Sequence, residues 1–217
     1  MPLRPLMQSI LMSNAAQSIN FNLDAIHIDG SGLSFVALAL VSPPQGFQGV
    51  SLQIGVSNPA AAAFYNPTNN TFFFPSLSDG TNAGTADVER MTILHECVHC
   101  LRDTYGAQYP NQSGGTITRA ASEEAAALLA GALFYISDNP NVGIPPYFAS
   151  GTTGSAPIFG LAFALAQQLN AFTGTINANS FSYNYVGQLE SAISAFYTNT
   201  HLWITPNTMY DNNGLQL

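Results

Sequence analysis

Residues 91–103 read MTILHECVHCLRD, a stretch that sets two histidines and a glutamate among apolar neighbours. On an α-helix Met91, Ile93, Leu94, Cys97, Val98, Cys100 and Leu101 point in nearly every direction, and a helix that is apolar all round is a buried one. This constrains the fold first: a helix must run through the core and carry His95, Glu96 and His99 in with it. Positions i and i+4 lie one turn apart on the same face, so the two imidazoles of H-E-x-x-H can grip one cation. Glu96, about 100° round the helix, stands beside that cation. Two imidazoles and a carboxylate are costly to bury without polar partners, and a bound cation supplies those partners at once. The expectation is that His95 and His99 ligate a zinc ion, with Glu96 accepting the proton of the water that the ion activates.

The rest of the composition narrows what such a core can serve. A chain of 217 residues has room for one substantial core, so a single domain over residues 1–217 is expected. Charged residues make up 7% of it, where soluble proteins carry about 25%. There is no Lys, the Arg residues are Arg4, Arg90, Arg102 and Arg119, and the net charge is −8. That charge repels phosphate backbones and anionic lipid, so no nucleic-acid partner is expected. No apolar run reaches transmembrane length, so no membrane insertion is expected either. Cys97 and Cys100 read as small apolar core residues with reduced thiols. Residues 1–19 read as an amphipathic first helix, because Gln8 and Ser9 interrupt the apolar stretch that an export signal would need. Localisation is left open between the cytoplasm and export without a clear signal.

Along the chain, residues 25–28 and 33–41 are β-prone runs separated by Asp29-Gly30-Ser31-Gly32, a turn signal. His27 falls at a polar position of a half-buried strand. Residues 50–56 alternate as a third strand. Phe64-Tyr65 and Phe72–Phe74 are aromatic runs joined by Asn66-Pro67-Thr68-Asn69-Asn70, which has hairpin-turn chemistry. The central helix is expected from an N-cap at Thr85 to Gly106. A second helix begins at Thr118, as TRAASEEAAALLAGALFYI, with small residues such as Ala127 and Gly131 suited to close helix packing. Further helices are expected over residues 157–172 and 185–197, and the tail from His201 shows no period.

Catalytic zinc takes three protein ligands and a water, so His95 and His99 need a third. The metzincin pattern wants Gly three and His six residues after the second His, where Arg102 and Tyr105 stand, and Tyr105 equally excludes an Asp six residues on. Asp103 shares the helix face, but three ligands from one straight helix cannot surround an ion, so it is read as a supporting partner. Glu123 and Glu124 remain.

Here the pattern resembles a known family. HECVH at residues 95–99 and Glu-Ala-Ala-Ala at 124–127, with a strand ahead of them, resemble the gluzincin branch of the zincin metallopeptidases over residues 61–138. The pattern looks most like small bacterial proteins in which an alanine-rich E-A-x-A helix follows the HExxH helix. The resemblance implies an α+β, zincin-like fold: an N-terminal antiparallel or mixed sheet with an edge strand over the HExxH helix, then a mostly helical C-terminal half. It implies Zn2+ on His95, His99 and Glu124, with Glu96 as general base. Glu123 is then left to pair with Arg119 four residues earlier. Where many gluzincins place an Asp four residues after the ligand Glu, this chain has Leu128, so no partner for a ligand His is assigned. The expected function is zinc-dependent hydrolysis of peptide bonds, with a peptide or protein substrate extended along an edge strand near residues 72–74. His201, Tyr105, Tyr109 and Tyr147 are candidate oxyanion donors. Two alternatives stand beside it. One is a binding or assembly module of the same fold with a structural metal. The other is a secreted toxin or effector protease, suggested by the absence of Lys.

Overall fold

Leu3, Met7, Ile10 and Leu11 fall at i, i+4, i+7 and i+8, and helix α1 (Leu3–Leu11) buries all four. The computed structural model describes residues 3–23, 26–41, 50–54, 63–74, 87–108, 117–141, 156–171, 183–199 and 208–211. A short helix, α2 (Asn14–Gln17), is capped by the Ser13 hydroxyl, and β1 (Asn20–Leu23) then pairs antiparallel with β2 (Ile26–Asp29). His27 lies half-buried on β2, with Asn22 Oδ1 2.7 Å from its Nδ1.

The second β-prone run is a helix instead. Asp29 ends β2 and accepts the Gly32 N–H at 2.7 Å as the N-cap of α3 (Gly30–Ala39). The two glycines serve close approach rather than a turn. A Cβ on Gly30 would lie 2.5 Å from the backbone oxygen of Gln17, and one on Gly32 would run into the side chain of Leu101. The Leu, Val and Ala residues that looked β-prone are held helical by this docking, tertiary packing overriding local propensity.

Strand β3 (Ser51–Ile54) runs parallel to β5 (Thr71–Phe74), and β4 (Phe64–Asn66) closes the hairpin antiparallel to β5. Asn70 turns the chain with φ 50°, a conformation Asn tolerates better than most residues. The sheet order is β3-β5-β4, so Phe72–Phe74 lie in its middle and β4 is an edge among the described residues. The expectation of an edge at residues 72–74 is therefore corrected. The parallel partner β3 covers that strand's outer side and leaves the first arm of the hairpin outermost.

The central helix is α4 (Asp87–Gln108), which runs two residues past Gly106, while Thr85 lies outside the described residues. Met91, Ile93, Leu94, Cys97, Val98, Cys100 and Leu101 are all buried, as the all-round apolar pattern requires. Residues 117–119 form β6 (Ile117–Arg119), and α5 (Ala120–Asp138) starts at Ala120 rather than at Thr118. Helices α6 (Ala156–Ala171) and α7 (Tyr183–Asn199) follow within two residues of the expected bounds. The tail that showed no period contributes β7 (Met209–Asp211), antiparallel to β6. A three-residue strand is too short to show alternation. Among the described residues the architecture is mixed α+β and mostly helical, with seven helices and small sheets.

Helix α5 packs more extensively on α4 than on any other element. A Cβ added at Gly131 would stand 3.5 Å from the Met91 carbonyl oxygen, an ordinary contact. Gly131→Ala should therefore stabilise the protein by about 0.4–1 kcal/mol through the unfolded chain. Gly131→Leu should cost about 1–3 kcal/mol by overpacking. Denaturant unfolding of the two variants checks both signs; a Leu variant as stable as the parent would remove this helix contact from the core.

Candidate metal centre

Two helices and an edge strand bring the site together. Helix α4 presents His95 and His99 one turn apart, and α5 crosses it so that Glu124 faces both. Nε2 of His95 and Nε2 of His99 are 3.2 Å apart. Glu124 sets Oε2 at 3.2 Å from the first and Oε1 at 3.4 Å from the second. Tetrahedral zinc with ligand bonds of 2.0–2.1 Å would hold its ligand atoms about 3.3 Å apart. The two nitrogens meet that spacing, Glu124 brings one carboxylate oxygen to each of them, and the donor types suit such an ion; the three form the one group of three or more potential metal ligands among the described residues.

Glu96 is buried, with Oε1 4.0 Å from His95 Nε2. Its Oε2 accepts the backbone N–H of Tyr65 at 2.8 Å. Tyr65 is the middle residue of β4, and because this N–H points to Glu96 rather than to β5, Tyr65 and Phe72 form a non-hydrogen-bonded pair of the ladder. The Tyr65 hydroxyl donates to Asp103 Oδ2 at 2.8 Å, so one edge residue is tied to α4 at two points about two turns apart. Asp103 thus meets the hairpin through Tyr65.

Glu123 does not pair with Arg119. It is 2% exposed, and its Oε1 lies 3.1 Å from His99 Nδ1 while its Oε2 lies 3.9 Å from Nε of the fully buried Arg102. Arg119 precedes the helix in an extended conformation, so the four-residue spacing never becomes one helical turn; its guanidinium meets Glu190 at 2.7 Å instead. A carboxylate partner for His99, of the kind missing at Leu128, is therefore found one residue before Glu124, the expected ligand.

The charge inside is unbalanced. Glu96, Glu123, Glu124 and Asp103 are all buried, and Arg102 is the buried side chain of fixed positive charge among the described residues. Burial pushes the Glu96 carboxyl up, although His95 and His99 oppose it. Burial would lower His99, but the carboxylates of Glu124, Glu123 and Glu96 outweigh it and push it up to about 9. Burial lowers Arg102, which Glu123 counters. The surrounding carboxylates favour a proton on His99, one positive charge against that excess; a divalent cation fits the same place and would bring two.

Three contributions escaped the sequence reading: the contact of Glu123 with His99, the burial of Arg102 beside it, and the Tyr65 N–H. A signal existed for the first two. The segment from Ala120 to Ala132 is small or apolar on every face, which puts both glutamates inside, and Arg102 follows His99 by three on an equally apolar helix. Nothing in a sequence announces a backbone N–H. Tyr109, Tyr147, His201 and the side chain of Tyr105 lie outside the described residues. No family model, curated protein or solved structure matches the chain.

Proposed function

We propose that the protein is a zinc-dependent hydrolase of peptide bonds, with His95, His99 and Glu124 as the metal ligands and Glu96 as the general base. The observation that carries the reading is the placement of Glu96: pinned through Oε2 by Tyr65, it turns Oε1 toward the ligand cluster. A structural metal site has no use for a general base, and Glu96, with Oε1 4.0 Å from His95 Nε2, stands beside the imidazoles without orienting them by a hydrogen bond. The ligand set also counts three, the number a catalytic site keeps while leaving one position open, and His95 is its most exposed member at 17%.

A bound zinc ion would supply Lewis acidity, lowering the pKa of water and polarising a carbonyl. The chain's own residues do the rest. Glu96 accepts the proton of the attacking water at Oε1 and returns it to the departing amine. His99 is held by Glu123, and the Tyr65 N–H steadies the other carboxylate oxygen of Glu96. The zincin-like fold belongs to the same proposal, supported by a mixed sheet whose edge strand β4 touches the HExxH helix. A peptide substrate would extend along β4 past Tyr65, whose outward N–H is kept by Glu96, so it would be held by side-chain contacts more than by a main-chain ladder.

A protein purified without added metal should hold close to one zinc ion per chain and cleave peptide substrates, with both properties lost in His95→Ala. Full zinc with no turnover on any peptide would favour the binding module with a structural metal. Full zinc in His95→Ala would move the metal elsewhere.

A further inference from the structure

We infer that Glu123 is a positioning residue for the metal: its carboxylate accepts the Nδ1–H of His99, holding the imidazole with Nε2 toward His95 and Glu124, and Arg102 anchors the carboxylate from behind. This rests on the metal-site reading above. The geometry is specific. His99 Nδ1 lies 3.1 Å from Glu123 Oε1 while His99 Nε2 lies 3.2 Å from His95 Nε2 and 3.4 Å from Glu124, so the two nitrogens face different partners on opposite sides of the ring. A carboxylate on the far nitrogen fixes the tautomer and makes the near one a better donor. The neighbouring glutamates of α5, about 100° apart round the helix, thus divide the work: Glu124 reaches the ion site and Glu123 the ring that helps to hold it. Arg102, fully buried on α4 three residues beyond His99, sets its Nε 3.9 Å from Glu123 Oε2, an ion pair that steadies the carboxylate by charge rather than by a hydrogen bond. Helix α4 therefore carries the metal-binding imidazole and the anchor of the carboxylate that orients it.

The test compares the parent with Glu123→Met, which keeps volume and removes the acceptor, and Glu123→Gln, which keeps an acceptor and removes the charge. Zinc affinity is measured by chelator competition, and cobalt(II) is used as a spectroscopic stand-in. Glu123→Met should bind zinc about 10–100-fold more weakly and shift the visible cobalt bands, and Glu123→Gln should recover most of both. Because Glu123→Met takes a counter-charge from the buried Arg102, the double variant Arg102→Met/Glu123→Met, which removes both charges, is the second vehicle, with the same loss expected. Parent affinity and unchanged cobalt bands in either Met variant would overturn the positioning role. A Gln variant as weak as the Met variant would overturn it too. A parent that takes up no metal would overturn the metal site beneath it, a result that the variants cannot mimic.

Discussion

Glu96→Gln should lower kcat/KM for peptide hydrolysis by about 10²–10⁴-fold while keeping one zinc ion per chain. The two halves of that expectation come from different atoms. The amide oxygen of Gln can still accept the Tyr65 N–H, which Glu96 Oε2 accepts at 2.8 Å, so the side chain should stay where it is. The atom facing the ligands loses its ability to hold a proton. Zinc should be unaffected because the proposed ligands are His95, His99 and Glu124. Peptidase assays with parallel metal analysis decide the matter. A Gln variant as active as the parent would remove Glu96 from the chemistry, and one that loses zinc would make Glu96 a ligand rather than a base.

The central helix and the residues it brings to the cluster were legible because their signals are local and redundant. Seven apolar residues on all faces of α4 require burial, and H-E-x-x-H sets two imidazoles one turn apart whatever lies around them. Glu124 was reachable through the small residues that follow it. Glu123 was misread because its apparent partner depended on where α5 begins. Arg119 belongs to β6, held by β7 from the far end of the chain, and a one-residue change in a helix start alters every i,i+4 pairing across it. The same kind of long-range contact decided the stretch after Asp29, where the backbone of Gln17 and the side chain of Leu101 crowd two glycines and dock a helix in place of a strand. The edge of the sheet depended on β3 as well: the hairpin itself does not say which arm meets a third strand.

Chelating the metal should lower the melting temperature by about 8–16 °C. A ligand that binds only the folded chain at 1,000 times its Kd stabilises it by about 4.1 kcal/mol, and a chain of this size shifts by about 2–4 °C per kcal/mol. The physical source lies between α4 and α5. Glu123 and Glu124 of α5 reach His95, His99 and Arg102 of α4 there, and the interface between those helices is the most extensive among the described residues. Without the ion, Glu124 and Glu123 favour a proton on His99, a single positive charge against two carboxylates; a bound zinc ion would set two positive charges among the same side chains. Removing zinc therefore loosens the helix pair at its centre rather than at a surface loop, and both helices should melt in one transition. His95→Ala/His99→Ala should melt near the chelated parent and gain nothing from added zinc. Scanning calorimetry of the parent with zinc, the parent with chelator and the double variant gives all three values. If chelator removes one ion per chain and leaves the parent's melting temperature unchanged, the ion does not join α4 to α5.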